Sequence, residues 1–186
     1  MKRDAVEVRR SSKETKVRVT LALRGTGTFR GDAHDPFVTH LLETFARYAG
    51  IDVAVEASGD ERHHLVEDIA LTVGRALRRA LPEGGVARFG EAIVPMDEVL
   101  VQVVLDLVDR PYYRSDLPTT AMPEHVLRSL VTEAKMTLHQ VTLRPGEDHH
   151  VLEATFKAFG LAIARALQPS PRSLSLKGKV EWEESP

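Results

Sequence analysis

The chain has 186 residues, enough for one sizeable core or for two similar halves packed together, and its 25 Lys and Arg against 27 Asp and Glu give a formal net charge of −2. It contains no cysteine, which excludes a disulfide framework, thiolate zinc sites and thiol nucleophiles. Acids and bases are mixed along it, no run approaches the ~18 apolar residues of a membrane span, and the first ten residues lack the apolar segment of a signal peptide. The expectation is a soluble, cytoplasmic protein that binds neither nucleic acid nor membrane.

The N-terminal stretch reads as strands. Val17, Val19, Leu21 and Leu23 alternate with Lys16, Arg18, Thr20 and Ala22, the period of a strand with one buried face. Gly25-Thr26-Gly27 signals a turn. Asp35-Pro36 reads as a helix entrance, with Asp35 able to cap free amides and Pro36 tolerated in the first turn. Phe37, Leu41 and Phe45 then recur every four residues, Gly50 ends the helix, and residues 51–57 alternate as a strand.

A long helical pattern follows over residues 62–81, with Val66, Ile69, Val73 and Leu77 forming one apolar stripe, and residues 82–85 break it. Residues 99–107 are β-rich, with Val101, Val103, Leu105 and Leu107 on one face. Then come a helix over 124–135, a strand over 136–143, a turn at Pro145-Gly146 and a helix from about Asp148 carrying Leu152, Phe156, Phe159, Ile163 and Leu167. The tail over 168–178 is rich in Ser, Pro and Lys and reads as a surface segment. Strand, helix, strand and helix thus occur twice. The pattern predicts an α+β fold made of two internally duplicated two-layer halves, residues 1–90 and 91–186, with helices on one face of a sheet in each and the pair forming one compact unit.

A histidine pattern repeats with the same period. His40 precedes His63-His64-Leu65-Val66-Glu67 by 23 residues, and His125 precedes His149-His150-Val151-Leu152-Glu153 by 24, so six of the eight histidines belong to the repeat. At the start of a helix, the first histidine and the glutamate of such a motif share a face, while the second histidine is rotated by about 100°. Each motif can therefore aim its two imidazoles at two different metals. Six nitrogens and two carboxylates give about four protein ligands per metal and leave positions open, which suits Mn²⁺ or Fe²⁺ better than a closed zinc site. Two divalent ions and two glutamates leave a residual charge of roughly +2, which favours an anionic ligand and supplies a Lewis acid. Arg88, Arg110, Lys157 and Lys177, the last close after Ser175, are candidates for a phosphate cradle, although each taken singly also reads as a surface charge. His34 and His139 read as ordinary loop and strand histidines, Asp97-Glu98 as a turn and Asp106 as a strand edge. The residues alone point to a paired-metal enzyme acting on an anionic small molecule.

At these positions the chain resembles the imidazoleglycerol-phosphate dehydratase family, as a divergent member. The matches run in order along nearly the whole length: Glu14-Thr15, Gly25-Thr26-Gly27, His63-His64 with Val66-Glu67-Asp68, Arg88-Phe89-Gly90, Pro95-Met96-Asp97-Glu98, Asp106 with Arg110-Pro111, Thr137-Leu138-His139, His149-His150 with Glu153, Phe156-Lys157-Ala158 and Lys177-Gly178. The resemblance implies a fold like the second domain of ribosomal protein S5 in each half and a 24-subunit assembly with sites between neighbours. It also implies two Mn²⁺ per active site, held by His40, His63, His64, Glu67, His125, His149, His150 and Glu153.

The same resemblance makes Arg88, Arg110, Ser175 and Lys177 the holders of a substrate phosphate, puts Lys157 in the pocket and brings Glu14 to a neighbouring subunit's site. The implied reaction is dehydration of D-erythro-imidazole-glycerol phosphate to imidazole-acetol phosphate, a step of histidine biosynthesis, through a metal-bound imidazolate with Glu14, Glu67 or Glu153 carrying protons. The chain departs from the family pattern at Thr39, where an aspartate is usual, and at Tyr48, where a histidine close to the substrate is expected. It also has shorter connections before His63 and between Arg110 and His125. These departures keep open a non-catalytic paralogue that uses the metals for assembly and binds a phosphate ligand or partner. A paired-metal hydrolase is a third reading.

Overall fold

Val17, Val19 and Leu21 are buried while Lys16 is exposed, as the alternation requires, and the strand that carries them is central in its sheet. A computed structural model of the chain describes residues 5–82 and 84–171. The first half contains β1 (Val6–Ser11), β2 (Thr15–Ala22), β3 (Phe29–Arg30), α1 (Pro36–Ala49), β4 (Asp52–Gly59) and α2 (Arg62–Ala80). The second repeats that order with β5 (Phe89–Met96), β6 (Val99–Asp106), β7 (Tyr112–Arg114), α3 (Met122–Glu133), β8 (Thr137–Arg144) and α4 (Asp148–Ala166). The sheets run β1-β2-β4-β3 and β5-β6-β8-β7, each with three antiparallel strands and a short final strand parallel to its neighbour. The duplicated α+β architecture is therefore present strand for strand. The half-boundary expected after residue 90 falls inside β5.

Local chemistry sets the helix that carries His40. The Asp35 carboxylate accepts from the amides of Phe37 and Val38, both at 2.9 Å, and Pro36 opens α1. Such a cap contributes about 1 kcal/mol. Gly50 closes the helix in the left-handed conformation, φ 67°, which only glycine adopts without strain.

Each half places its helices on one face of its sheet, and the halves meet helix to helix, α1 on α4 and α2 on α3. Phe45 and Phe159 stack across the first contact with ring centroids 4.6 Å apart, and both are fully buried. Gly74 of α2 and Gly160 of α4 make these approaches close. A Cβ on Gly74 would lie 2.4 Å from the Leu130 carbonyl oxygen, and one on Gly160 would lie 2.7 Å from the Tyr48 Cβ and 2.8 Å from the Phe45 carbonyl oxygen. Among the described residues no helix is long and apolar enough to cross a membrane.

Three strands have no counterpart in the sequence expectations. β3 and β7 are too short to show a period. In β5 the inward positions are Gly90, Ala92 and Val94, small side chains that mute the alternation, and Pro95 is tolerated because β5 is an edge strand.

Candidate metal centre

The crossed helix contacts decide which ligands meet. His63 and Glu67 stand in the first two turns of α2, and α3 brings His125 to them from the other half; His149 and Glu153 of α4 meet His40 of α1. Each HHxxE motif is thus completed by the lone histidine of the opposite half. The sequence spacing leaves that partnership open, and the helix packing determines it.

In the first trio, His63, Glu67 and His125 each offer a ligand atom, all within 4.8 Å of one another. The His63 and His125 rings stack with centroids 5.4 Å apart. Nε2 of His125 is buried, 3.6 Å from the nearer Glu67 oxygen, and makes no hydrogen bond. A buried, unbonded ring nitrogen costs about 1–3 kcal/mol unless something else satisfies it. A divalent cation between two imidazoles and a carboxylate does so, and this donor set fits Mn²⁺ or Fe²⁺. Arg128 donates to the other ring nitrogen, Nδ1, at 3.0 Å; a cation on Nε2 puts the ring proton on Nδ1, so its binding requires Arg128 to turn away.

In the second trio, Nε2 of His40 and Nε2 of His149 both stand 3.4 Å from one oxygen of Glu153. Lys157, one turn further along α4, holds the other Glu153 oxygen at 2.8 Å. Burial pushes the Glu153 pKa up, but the Lys157 bond and His40 outweigh it, and the net shift is downward. The carboxylate is kept ionised for a cation. Phe37 stacks on His149 at 4.9 Å and fixes the plane of that ring.

The second histidine of each motif turns away from its own trio, as the rotation between adjacent helical residues demands. His64 lies with Nδ1 3.0 Å from Glu61 and 3.3 Å from Glu14. Nδ1 of His150 lies 3.1 Å from Glu98. Backbone amides of Glu147 and of Glu98 itself, then His150, hold the Glu98 pKa down to about 2, and the Glu98 bond raises that of His150. Six of the eight expected ligands therefore gather into two trios, and His64 and His150 stand apart from both.

The other expected site residues are spread around these helices. Glu14 is exposed at the turn before β2. Tyr48 lies on α1 two turns beyond His40 and packs its Cβ over Gly160. Arg88 adopts a left-handed backbone, φ 68°, and is clamped by Asp106 through bonds of 2.6 and 3.0 Å, with its guanidinium over the Phe89 ring. Arg110 is exposed between β6 and β7. Ser175 and Lys177 lie outside the described residues. Thr39, in place of the usual aspartate, bonds the Asp32 carboxylate and the Ala33 amide and so ties down the loop before α1. His34 and His139 lie in a loop and in β8, where the sequence puts them.

Sequence reasoning passes over Arg128, Gly74 and Gly160, and reads Glu98 as a turn residue without its contact to His150. For the glycines a signal does exist: each lies eleven residues after the first histidine of its motif.

The imidazoleglycerol-phosphate dehydratase profile matches residues 34–163, more than half of the chain. The chain belongs to this family. It is 44% identical over 179 residues to imidazoleglycerol-phosphate dehydratase 1, chloroplastic, of Arabidopsis thaliana, covering 89% of this chain but 66% of that longer protein. It is 40% identical to the imidazoleglycerol-phosphate dehydratase of Dictyoglomus thermophilum, covering 94% of this chain and 97% of the relative. Among solved structures, that of IGPD from Pyrococcus furiosus in complex with (S)-C348 superposes with a TM-score of 0.81 at 36% identity, over 93% of this chain and all of that one. The family's fold is thus shared across almost the whole chain.

Proposed function

We propose that this chain is a cytoplasmic dehydratase of histidine biosynthesis, converting D-erythro-imidazole-glycerol phosphate to imidazole-acetol phosphate with two Mn²⁺ per active site. The observation that carries the reading is the crossed gathering of histidines in a chain of this family: His63 and His125 with Glu67, where one buried histidine nitrogen lacks any hydrogen-bond partner, and His40 and His149 on one oxygen of Glu153. His40, His149 and Glu153 would hold one ion, and His63, Glu67 and His125 the other. The two half-repeats, which part just before β5 rather than after residue 90, act as one unit.

When bound, the ions supply Lewis acidity and make the substrate's ring an electron sink. The protein's own groups bind the phosphate and move protons. Arg88, held in place by Asp106, and Arg110 anchor the phosphate together with Ser175 and Lys177 of the tail, and Tyr48 lines the substrate side of α1. Lys157 keeps Glu153 ionised. Removing a proton from carbon next to a hydroxyl requires a carboxylate within reach, and Glu14, exposed at a hairpin turn, is placed to serve a neighbouring copy's site; Glu67 and Glu153 are the carboxylates within this one.

His64 and His150 face away from their own trios, which supports the reading that each completes a trio on a neighbouring copy, within the 24-subunit assembly that the family resemblance implies. Protein loaded with Mn²⁺ is expected to dehydrate the substrate and to lose both turnover and high mass on chelation. A fully loaded protein that fails to release water from imidazole glycerol phosphate would overturn the reading.

A further inference from the structure

The turn between β5 and β6 aims a carboxylate at the start of α4. Glu98 immediately precedes β6, as Glu14 immediately precedes β2, and each of these carboxylates lies beside the second histidine of the HHxxE motif in its own half. The two halves then differ. Beside His64 the closer carboxylate is Glu61, from the helix itself, while Glu14 is 3.3 Å away and exposed. In the second half Glu98 is fastened. One of its oxygens accepts from the Glu147 amide at 2.7 Å, and the carboxylate receives Nδ1 of His150 at 3.1 and 3.3 Å. The path for that side chain exists because residue 146 is glycine: a Cβ there would lie 2.1 Å from a Glu98 oxygen and 2.5 Å from its Cγ. Nε2 of His150 makes no bond of hydrogen-bond length, with Asp97 and Glu147 standing off at 3.7 and 3.8 Å.

We propose that Glu98 is a positioning residue that holds the proton of His150 on Nδ1 and thereby presents Nε2, unprotonated and outward, as the ligand that completes a metal trio on a neighbouring copy of the chain. The inference rests on the reading of His150 as an inter-subunit ligand. An imidazole binds a metal through the nitrogen that lacks a proton, so whatever fixes the tautomer fixes which nitrogen can ligate, and carboxylate partners of ligand histidines commonly govern affinity for this reason. Glu98 can fix the tautomer, since its carboxylate is an obligate acceptor and is itself anchored by the Glu147 amide just ahead of α4. Asp97, its exposed neighbour in the turn, faces the ligating nitrogen instead and has no such anchor among the bonds of the described residues.

The test is Glu98→Gln in the full chain. Its single oxygen can keep the Glu147 bond, and its amide N–H then points at Nδ1, which favours the tautomer with the proton on Nε2. Gly146→Ala reaches the same end by displacing the Glu98 side chain, with Glu98 itself unchanged, and serves if the first variant does not fold. Two quantities are read: binding of Mn²⁺ by calorimetry, and the ¹⁵N resonances of His150 in metal-free protein. Both variants are expected to weaken one class of Mn²⁺ sites by roughly 10–100-fold and to move the His150 resonances to the Nε2–H pattern. If His150→Ala weakens Mn²⁺ binding but Glu98→Gln changes neither binding nor tautomer, this assignment of Glu98 is overturned while the inter-subunit ligand stands. If His150→Ala itself leaves Mn²⁺ binding unchanged, the ligand reading falls and takes the role of Glu98 with it.

Discussion

Gly74→Ala isolates the claim that helix proximity builds the first trio. The new Cβ would lie 2.4 Å from the Leu130 carbonyl oxygen, about 1 Å short of the 3.4 Å at which ordinary contact begins. That oxygen cannot swing aside, because it is part of the α3 backbone and already accepts from the Ala134 amide at 2.9 Å. Helix α3 must therefore back away, and His125 rides on it. Alanine gains about 1 kcal/mol over glycine in helix propensity, while overpacking of this kind costs about 1–3 kcal/mol, so the metal-free protein should lose up to about 2 kcal/mol. At roughly 2–4 °C per kcal/mol for a chain of this size, melting should fall by several degrees at most. The effect on metal should be larger, since a ligand set tolerates only about 0.5 Å of displacement and the His125 to Glu67 separation of 3.6 Å would widen. Mn²⁺ titration followed by calorimetry, beside thermal melting of the metal-free protein, separates the two effects. Gly160→Ala provides the scale: its Cβ is short by only about 0.6 to 0.7 Å, at 2.7 and 2.8 Å, so it should perturb the other trio and do so less. Were Gly74→Ala to bind Mn²⁺ as tightly as the parent, or Gly160→Ala to be the more damaging, the link from helix approach to ligand geometry would be wrong.

Other substitutions probe single contacts. His125→Ala should remove one class of metal sites and leave the other, giving about half the metal content by elemental analysis, and the metal-free fold should tolerate it because Nε2 makes no hydrogen bond and the half-exposed Arg128 that donates to Nδ1 can turn to water instead. Arg128→Met should tighten Mn²⁺ binding at that trio. A cation on Nε2 requires the proton on Nδ1, where Arg128 now donates, and calorimetry showing unchanged or weaker binding would contradict this. Asp106→Asn removes the charge that clamps Arg88, so KM for the phosphate substrate should rise roughly 10-fold with kcat nearly kept; the reverse split would detach Arg88 from phosphate binding. His64→Ala leaves both trios of its own chain intact, and should lower the mass of the Mn²⁺-loaded assembly in light scattering without lowering the melting temperature of the metal-free protein.

Much of this was legible in the residues because the signals were periodic or chemical. The alternation before Ala22, the cap at Asp35 and the stop at Gly50 are local decisions, made by neighbouring atoms, and they place α1 and β2 closely. The repeated histidine motif marks the candidate ligands for the same reason: its geometry is that of a single helical turn. What escaped the sequence depends on contacts between distant segments. β5 hides behind glycine, alanine and proline because its inward face is crowded by α4, where the space beside Gly90 is filled by the Ala162 carbonyl. Glu98 and Asp106 look like turn and strand-edge acids until the fold sets His150 beside one and Arg88 beside the other.

The crossing of the trios follows from the same physics and constrains what each half can be. In either half the HHxxE helix lies against its own sheet, and the lone histidine sits on the other helix of that half, whose close helical partner belongs to the opposite half. Burying the apolar stripes that carry Phe45 and Phe159 therefore brings His40 to Glu153, and the packing of Gly74 on Leu130 brings His125 to Glu67. Core formation and ligand assembly are one event. A half in isolation would expose the apolar face of its helices and hold two thirds of one trio and one third of the other, so cation affinity belongs to the paired halves. Duplication within one chain makes that pairing independent of protein concentration, while His64, beside Glu61 and Glu14, and His150, beside Asp97 and Glu98, lie outside both crossed trios, and the role proposed for them is between chains.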